Sequence, residues 1–144
     1  MNAPLYNAQL LRLATGNPHE ERLTDPMGSA ERRSPVCGSR IAVDIDLDST
    51  GRVAAIGMQV SACAYGQASA TLLACHAVGR SHEELAATRD AIARWLAGER
   101  VMPDWPGLAT LSAVVPHNAR HGAVRLPFEA AVDAIAAAAQ RPVT

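Results

Sequence analysis

Lysine is absent from this chain, and cysteine is scarce. None of its 144 residues is lysine, and only three are cysteine. All thirteen basic residues are arginine and lie scattered along the chain, which indicates genome composition rather than a functional basic patch. Three unevenly spaced cysteines, without the features of a secretory signal, exclude a disulfide framework and favour a reducing cytoplasm. Cysteine is therefore expected to serve metal binding, chemistry or core filling.

Aromatic residues are few, and the chain has neither an excess of charge nor a long apolar run. The formal net charge is −1 and no basic cluster exists, which argues against nucleic acid as a partner. The longest apolar run, in the alanine-rich tail, is too short to span a bilayer, so no membrane segment is expected. Trp95, Trp105 and Phe128 are predicted to anchor the core rather than to stack on bases.

The length suits a single domain over residues 1–144, with loose tails at 1–3 and 141–144.

Leucines near helical spacing predict a short helix within residues 4–15. Residues 28–35 are expected to form an edge strand.

Two segments, 40–47 and 54–60, alternate apolar and polar residues and predict a hairpin. Thr50-Gly51 is expected to be its two-residue loop. That register pairs the apolar residues Ile45 with Ile56, Val43 with Met58 and Ile41 with Val60.

Cys37 and Cys63 lie at the open end of this hairpin. Extending the ladder brings Cys63 opposite Gly38, and cross-strand neighbours lie about 5 Å apart, so the two sulfurs are expected to be near enough to share a metal ion. Cys63 also lies where the strand leads into a helix predicted from about residue 67 to Gly79. A helix N-terminus favours the thiolate, which binds metals and attacks sulfur. Cys75, inside that helix, is expected to pack in the core.

Three more segments complete the predicted order. Residues 81–84 form a capping box that opens a helix, and 108–114 are expected to be short helical or irregular structure. The last helix is predicted to start at Leu126-Pro127, with proline in its first turn, and to end near Ala139. The expected fold class is α+β: a three-stranded antiparallel meander packed on one face by helices.

The two cysteine motifs resemble those of the U-type iron–sulfur cluster assembly scaffolds, the IscU, SufU and NifU N-terminal group. The motifs are PVCGS at 35–39 and ACAYGQASA at 62–70, and the second is especially similar to the SufU branch. In order and spacing the resemblance covers about residues 4–139. It implies the two-layer fold shared by SufE-like and NifU-like proteins and a role that is not enzymatic.

The resemblance also implies which residues bind metal. Cys37 and Cys63 correspond to two of the family's cysteines, whereas Ser39 stands in place of its aspartate and Ala123 in place of its third cysteine. His121, two residues before Ala123, is a candidate substitute ligand. The candidate metal ligands are therefore Cys37, Cys63, His121 and Ser39, in an atypical member of the family.

Three roles follow from this resemblance. The first is a scaffold or carrier that binds iron or a labile [2Fe–2S] cluster through Cys37 and Cys63, with zinc as an alternative metal and a homodimer, a small thiol or His121 supplying the missing ligands. The second is a sulfurtransferase-type role in which Cys63 accepts a persulfide. The third is a degenerate scaffold that only binds proteins of the assembly machinery. The implied partners are a cysteine desulfurase and recipient apoproteins.

Overall fold

A three-stranded sheet and four α-helices make up the part of the chain that the computed structural model describes, residues 6–36 and 38–140. The tails predicted at 1–3 and 141–144 lie outside it. The elements in chain order are α1 (Ala8–Thr15), β1 (Gly28–Arg33), β2 (Arg40–Leu47), β3 (Val53–Ser61), α2 (Ala64–His76), α3 (His82–Leu96), two 3-10 helices (Leu108–Val114 and Asn118–Arg120) and α4 (His121–Ala139).

The sheet is an antiparallel meander in the order β1-β2-β3. The predicted register of the central hairpin is confirmed: Ile45 pairs with Ile56, Val43 with Met58 and Ile41 with Val60. Because these six side chains point to one face, that face is apolar and takes the helices.

The hairpin loop differs from the predicted two-residue turn. The Asp48 amide donates to the Arg52 carbonyl at 2.8 Å, which leaves a three-residue loop that ends in Gly51. Gly51 has a φ of +84°, which glycine adopts without steric cost. A bulge follows in β3, since Leu47 pairs with Val53 and not with the residue after Val53, as a regular ladder would require. The extra loop residue and the bulge shift the strand pairing by one residue in opposite directions. The residue pairs beyond them are therefore the predicted ones.

The helices form a second layer over the apolar face. Helix α4 packs on β1 and β2, α2 packs on β3, and α1 and α3 pack on α2 and α4 respectively. The largest fully buried side chains are Tyr65, Phe128, Leu10, Ile41, Ile45, Met58, Leu73, Leu85, Ile92, Leu108, Leu111 and Ile135. Trp95, Trp105 and Phe128 are buried as predicted. The α+β fold class is confirmed.

Helix α4 begins earlier than predicted. It starts at His121 rather than at Leu126-Pro127, so Pro127 lies inside the helix. Proline has no amide hydrogen and leaves the carbonyl of Ala123 without its usual helical donor. The Ser69 hydroxyl of α2 donates to the neighbouring Val124 carbonyl at 2.7 Å. Packing on α2 therefore stabilises a helix that the proline alone would have interrupted.

Residues 19–27 cross the outer face of the sheet and are held there by Asp44. This carboxylate is fully buried and accepts hydrogen bonds from Arg22 Nε at 2.6 Å, the Leu23 amide at 3.0 Å and the Ser29 hydroxyl at 2.6 Å. Burial alone raises the pKa of Asp44, but the hydrogen bonds from Arg22, Ser29 and Leu23 outweigh it, and the pKa is lowered.

No helix among residues 6–36 and 38–140 has the length and apolar character needed to cross a membrane.

Candidate functional site

The two cysteine segments leave the same end of the sheet. Cys37 itself lies outside the described residues, but the loop around it is described. The Ser34 amide donates to the Ser39 carbonyl at 2.8 Å, and the Gly38 amide donates to the Ser34 carbonyl at 3.0 Å. The loop is therefore a tight one that returns the chain directly from β1 to β2.

The ladder does not extend to Gly38 as predicted. Its last pair is Arg40 with Ser61, and beyond it the Ser39 carbonyl accepts the Ser34 amide of the β1 side. Cys63 follows Ser61 by two residues, so both cysteine segments still begin at this pair. The Ser39 residue is buried, with 3 % of its surface exposed. Its role as a metal ligand stays a prediction.

Cys63 is the N-cap residue of α2. Its backbone is extended (φ −65°, ψ 172°), its carbonyl accepts the Gln67 amide at 2.9 Å, and its side chain makes no capping hydrogen bond. The residue is partly exposed. The predicted junction of strand and helix is confirmed, although α2 begins at Ala64, three residues before the predicted start. Cys63 therefore lies beside the first amides of a 13-residue helix.

The start of α4 lies between the two cysteine segments. A Cβ atom added to Gly122 would lie 2.7 Å from the Ser34 Oγ, and one added to Gly66 would lie 3.3 Å from the Ala123 Cβ. Gly122 therefore contacts the first residue of the Cys37 loop, while Ala123 contacts the first turn of the Cys63 helix. Ala123 is 1 % exposed. The N-terminal end of α4 thus contacts both cysteine segments, and Ala123 is the residue on the side of Cys63.

His121 is the first residue of this helix. Its Nε2 lies 2.7 Å from the Val115 carbonyl and 3.1 Å from that of Val114. Carbonyl oxygens only accept hydrogen bonds, so Nε2 carries a proton and Nδ1 is the nitrogen left to bind a metal. Histidines that bind metals commonly donate their other nitrogen in this way. Within residues 6–36 and 38–140, however, no three histidine, cysteine or acidic side chains gather in a metal-binding group.

An aromatic and cationic cluster adjoins Cys63. The rings of Tyr6 and Tyr65 lie 5.9 Å apart, and the Arg120 guanidinium lies 5.7 Å from the Tyr6 ring while Nε and Nη2 donate to its hydroxyl at 3.2 and 3.1 Å. Burial raises the pKa of Tyr65, the charges of Tyr6 and Cys63 add to this, and Arg120 opposes it. Sequence reasoning missed Tyr6, because its contact with Arg120 spans 114 positions.

Cys75 is exposed, contrary to the predicted core packing. It lines a groove of about 400 Å³ with residues of α1, among them Arg12 and Leu13. The neighbouring His76 places its ring edge-on to Trp105, with centroids 6.3 Å apart. The last turn of α2 thus presents Cys75 to solvent, because the core lies on the other side of the helix.

Comparison with solved structures decides the family. A nitrogen-fixing NifU-like protein (N-terminal) from Brucella abortus is 30 % identical and covers 96 % of each chain, with a TM-score of 0.86. The chain belongs to the U-type scaffold family. The predicted resemblance and the NifU-like two-layer fold are thereby confirmed.

Two other structures share the fold of this U-type protein. A candidate iron–sulfur cluster assembly scaffold protein for the SUF system of thermophilic Fervidobacterium islandicum AW-1 has a TM-score of 0.82 at 14 % identity, over 91 % of this chain and 96 % of that chain. A hypothetical protein has a TM-score of 0.71 at 20 % identity, over 90 % and 95 %. No protein-family model and no curated protein sequence matches the chain.

Proposed function

We propose that this U-type protein is a non-enzymatic iron–sulfur cluster assembly scaffold or carrier of the SufU-like branch, which holds iron or a labile [2Fe–2S] cluster as cargo on Cys37 and Cys63. Family membership supports this role. The observation that carries it is the start of α4, where Gly122 contacts the Cys37 loop and Ala123 contacts the Cys63 helix. Under this proposal the protein works in the cytoplasm, with a cysteine desulfurase as sulfur donor and apoproteins as recipients.

The ligand set is incomplete within one chain. A [2Fe–2S] cluster takes four protein ligands, and the two cysteines supply half of them. His121 is a candidate for the third ligand, because its Nε2 donates to backbone carbonyls and its Nδ1 is left to bind a metal. Ser39 is a further candidate, and a small thiol or a second chain of a homodimer are the other sources. Such a site is expected to hold its cargo loosely and to release it.

Anaerobic reconstitution with iron and sulfide tests this role. The wild-type chain should gain charge-transfer absorption in the visible region, and Cys63→Ser should lose most of it. Cys75→Ser is the matched control, since Cys75 is exposed on the far end of α2, and it should reconstitute like the wild type. Equal absorption in Cys63→Ser and wild type contradicts the proposal.

A persulfide acceptor is the second candidate, and zinc on Cys37, Cys63 and His121 accompanies it. The position of Cys63 at the N-terminus of α2 favours it, because a thiolate is the attacking species. The Cys63 thiolate attacks the outer sulfur of a donor persulfide, the donor S–S bond breaks, and the donor leaves as its thiolate. Incubation with a desulfurase and cysteine should then add one sulfur atom to the intact mass, except in Cys63→Ser.

A degenerate scaffold is the third candidate, and Ser39 and Ala123 are the observations that favour it. It predicts neither cluster absorption nor a sulfur adduct, but unaltered binding to the desulfurase.

A further inference from the structure

The outer face of the sheet carries a polar cleft at the end where both cysteine segments begin. Residues 19–27 cross this face at Asp44, and the cleft lies beyond them, toward the last pair of the ladder. Its volume is about 450 Å³, within the range of about 300–1,000 Å³ that is usual for small-molecule sites. The residues that line it are Glu31 of β1, Arg40 and Ala42 of β2, and Gln59, Val60 and Ser61 of β3.

A small residue on the central strand forms the floor of the cleft. Ala42 pairs with Glu31 of β1 on one side and with Gln59 of β3 on the other. Side chains at paired positions point to the same face of a sheet, so a methyl group lies between two longer polar side chains. A molecule in this space can therefore contact polar groups from both outer strands.

The neighbouring row of the sheet carries more positive than negative charge. Arg33 and Arg40 are directly paired across β1 and β2, and like charges at paired positions destabilise a sheet. Glu31 Oε1 lies 3.3 Å from Arg33 Nε and 3.8 Å from Arg40 Nε, and the second distance is too long for a hydrogen bond. Within residues 6–36 and 38–140, one carboxylate thus serves two guanidinium groups, and one positive charge stays unbalanced at the cleft.

The uncharged walls add hydrogen-bonding groups. The side-chain amide of Gln59 both donates and accepts, and so does the hydroxyl of Ser61. In the described part of the chain neither group has a side-chain hydrogen bond, and no aromatic ring lines the cleft. A molecule with one carboxylate and several hydroxyl groups, and without a ring to stack, matches these walls.

We infer that the cleft binds a small polyhydroxy carboxylate, with its carboxylate on Arg40 and its hydroxyl groups on Gln59 and Ser61. The carboxylate balances the surplus charge of the arginine pair through charge-assisted hydrogen bonds. The hydroxyl groups replace the water that otherwise solvates the two neutral side chains. This site is separate from the metal site of the proposed function and does not rest on it.

Gluconate is the probe, and two molecules with the same number of carbon atoms are its controls. Sorbitol lacks the carboxylate, and hexanoate lacks the hydroxyl groups. Titrations of the full chain at constant ionic strength, followed by amide NMR shifts, should show saturable binding of gluconate around Ala42 and Gln59. We expect gluconate to bind about fivefold more tightly than sorbitol, as for an exposed ion pair, and about fivefold more tightly than hexanoate, as for a hydrogen bond. Sorbitol, hexanoate or inorganic phosphate binding as tightly as gluconate overturns the inference.

Two variants test the assigned residues. Arg40→Gln should weaken gluconate binding to the level of sorbitol, and Ala42→Leu should prevent saturation, because the larger side chain fills the cleft. Arg32→Gln is the matched control: it removes the same charge from the adjoining strand, but Arg32 pairs with Asp133 of α4 at 2.7 Å, so gluconate binding should not change. Unaltered binding in Arg40→Gln, or a wild-type chain that shows no saturable shifts, contradicts the assignment.

Cys63→Ser separates this site from the proposed metal site. The variant should bind gluconate like the wild type, because none of the residues that line the cleft is a cysteine. Loss of gluconate binding in Cys63→Ser means that gluconate is held by a metal at the cysteine site, which overturns the inference and leaves the proposed function intact.

Discussion

At residue 123 the chain has a methyl group where the family resemblance expects a thiol. The side chain is buried and faces Gly66, so a cysteine there lies beside the helix that Cys63 begins. The cysteine motifs were readable from the sequence because they are local. The partners of Arg120 and His121 were not, because Tyr6 and the Val115 carbonyl reach them only through the fold.

Restoring the thiol should strengthen metal binding. We expect Ala123→Cys to raise the affinity for iron or cobalt by tenfold or more, since even outer-shell partners of a metal site are typically worth about tenfold. Chelator competition measures this affinity. Ala137→Cys is the matched control, an added thiol on the exposed face near the other end of α4, and it should bind metal like the wild type. An equal gain in both variants contradicts the assignment of position 123.

At the scale of elements, the close approach of α2 and α4 brings the site together. Gly66 is the residue of α2 that permits it, because a Cβ there would lie 2.6 Å from the Ala62 Cβ and 3.3 Å from that of Ala123. The late helix start predicted from Pro127 was wrong, since propensity alone omits the hydroxyl that Ser69 donates to the Val124 carbonyl. Tertiary packing thus decides where α4 begins, and with it where His121 and Ala123 lie.

Gly66→Ala and Gly122→Ala test this packing as a pair. Alanine gains about 1 kcal/mol of helix propensity over glycine, whereas overpacking costs about 1–3 kcal/mol. At Gly66 the nearest atom is a fixed Cβ, so the free energy of unfolding should fall by about 1–2 kcal/mol. At Gly122 the nearest atom is the Ser34 hydroxyl, which can rotate, so stability should change little or rise. Urea denaturation checks both; a stabilising Gly66→Ala contradicts the close approach.

At the scale of the whole molecule, most of the fold was predictable. The alternation over 40–47 and 54–60 determined the register, and the capping box at Ser81 marked the start of α3, where Glu84 completes it. The segment over residues 19–27 was not predicted, because what holds it is the long-range bond between Arg22 and Asp44. Its sequence has no strong periodicity to indicate that contact.

Asp44 should make stability depend on pH. Its pKa is lowered in the folded chain, so its contribution is fully present above the unfolded value of about 4 and is lost as the pH falls through the folded value. We expect Asp44→Asn to cost about 2–3 kcal/mol at pH 7, from lost charge-assisted hydrogen bonds, and to flatten the acid limb of the stability curve. Asp133→Asn, at an exposed ion pair, is the control and should cost under about 1 kcal/mol. An unchanged acid limb in Asp44→Asn contradicts this role.

The most direct test of the central claim, that Cys37 and Cys63 together hold a metal cargo, is the metal and sulfide content of protein purified anaerobically without chelators. Wild type and Cys75→Ser should retain iron, with sulfide if a cluster is present, and Cys37→Ser and Cys63→Ser should each lose it. If the purified wild-type protein contains zinc instead of iron, the result favours the persulfide-acceptor role at the same site. Metal content that neither Cys37→Ser nor Cys63→Ser reduces, or a wild-type chain that binds none even after reconstitution, contradicts the claim.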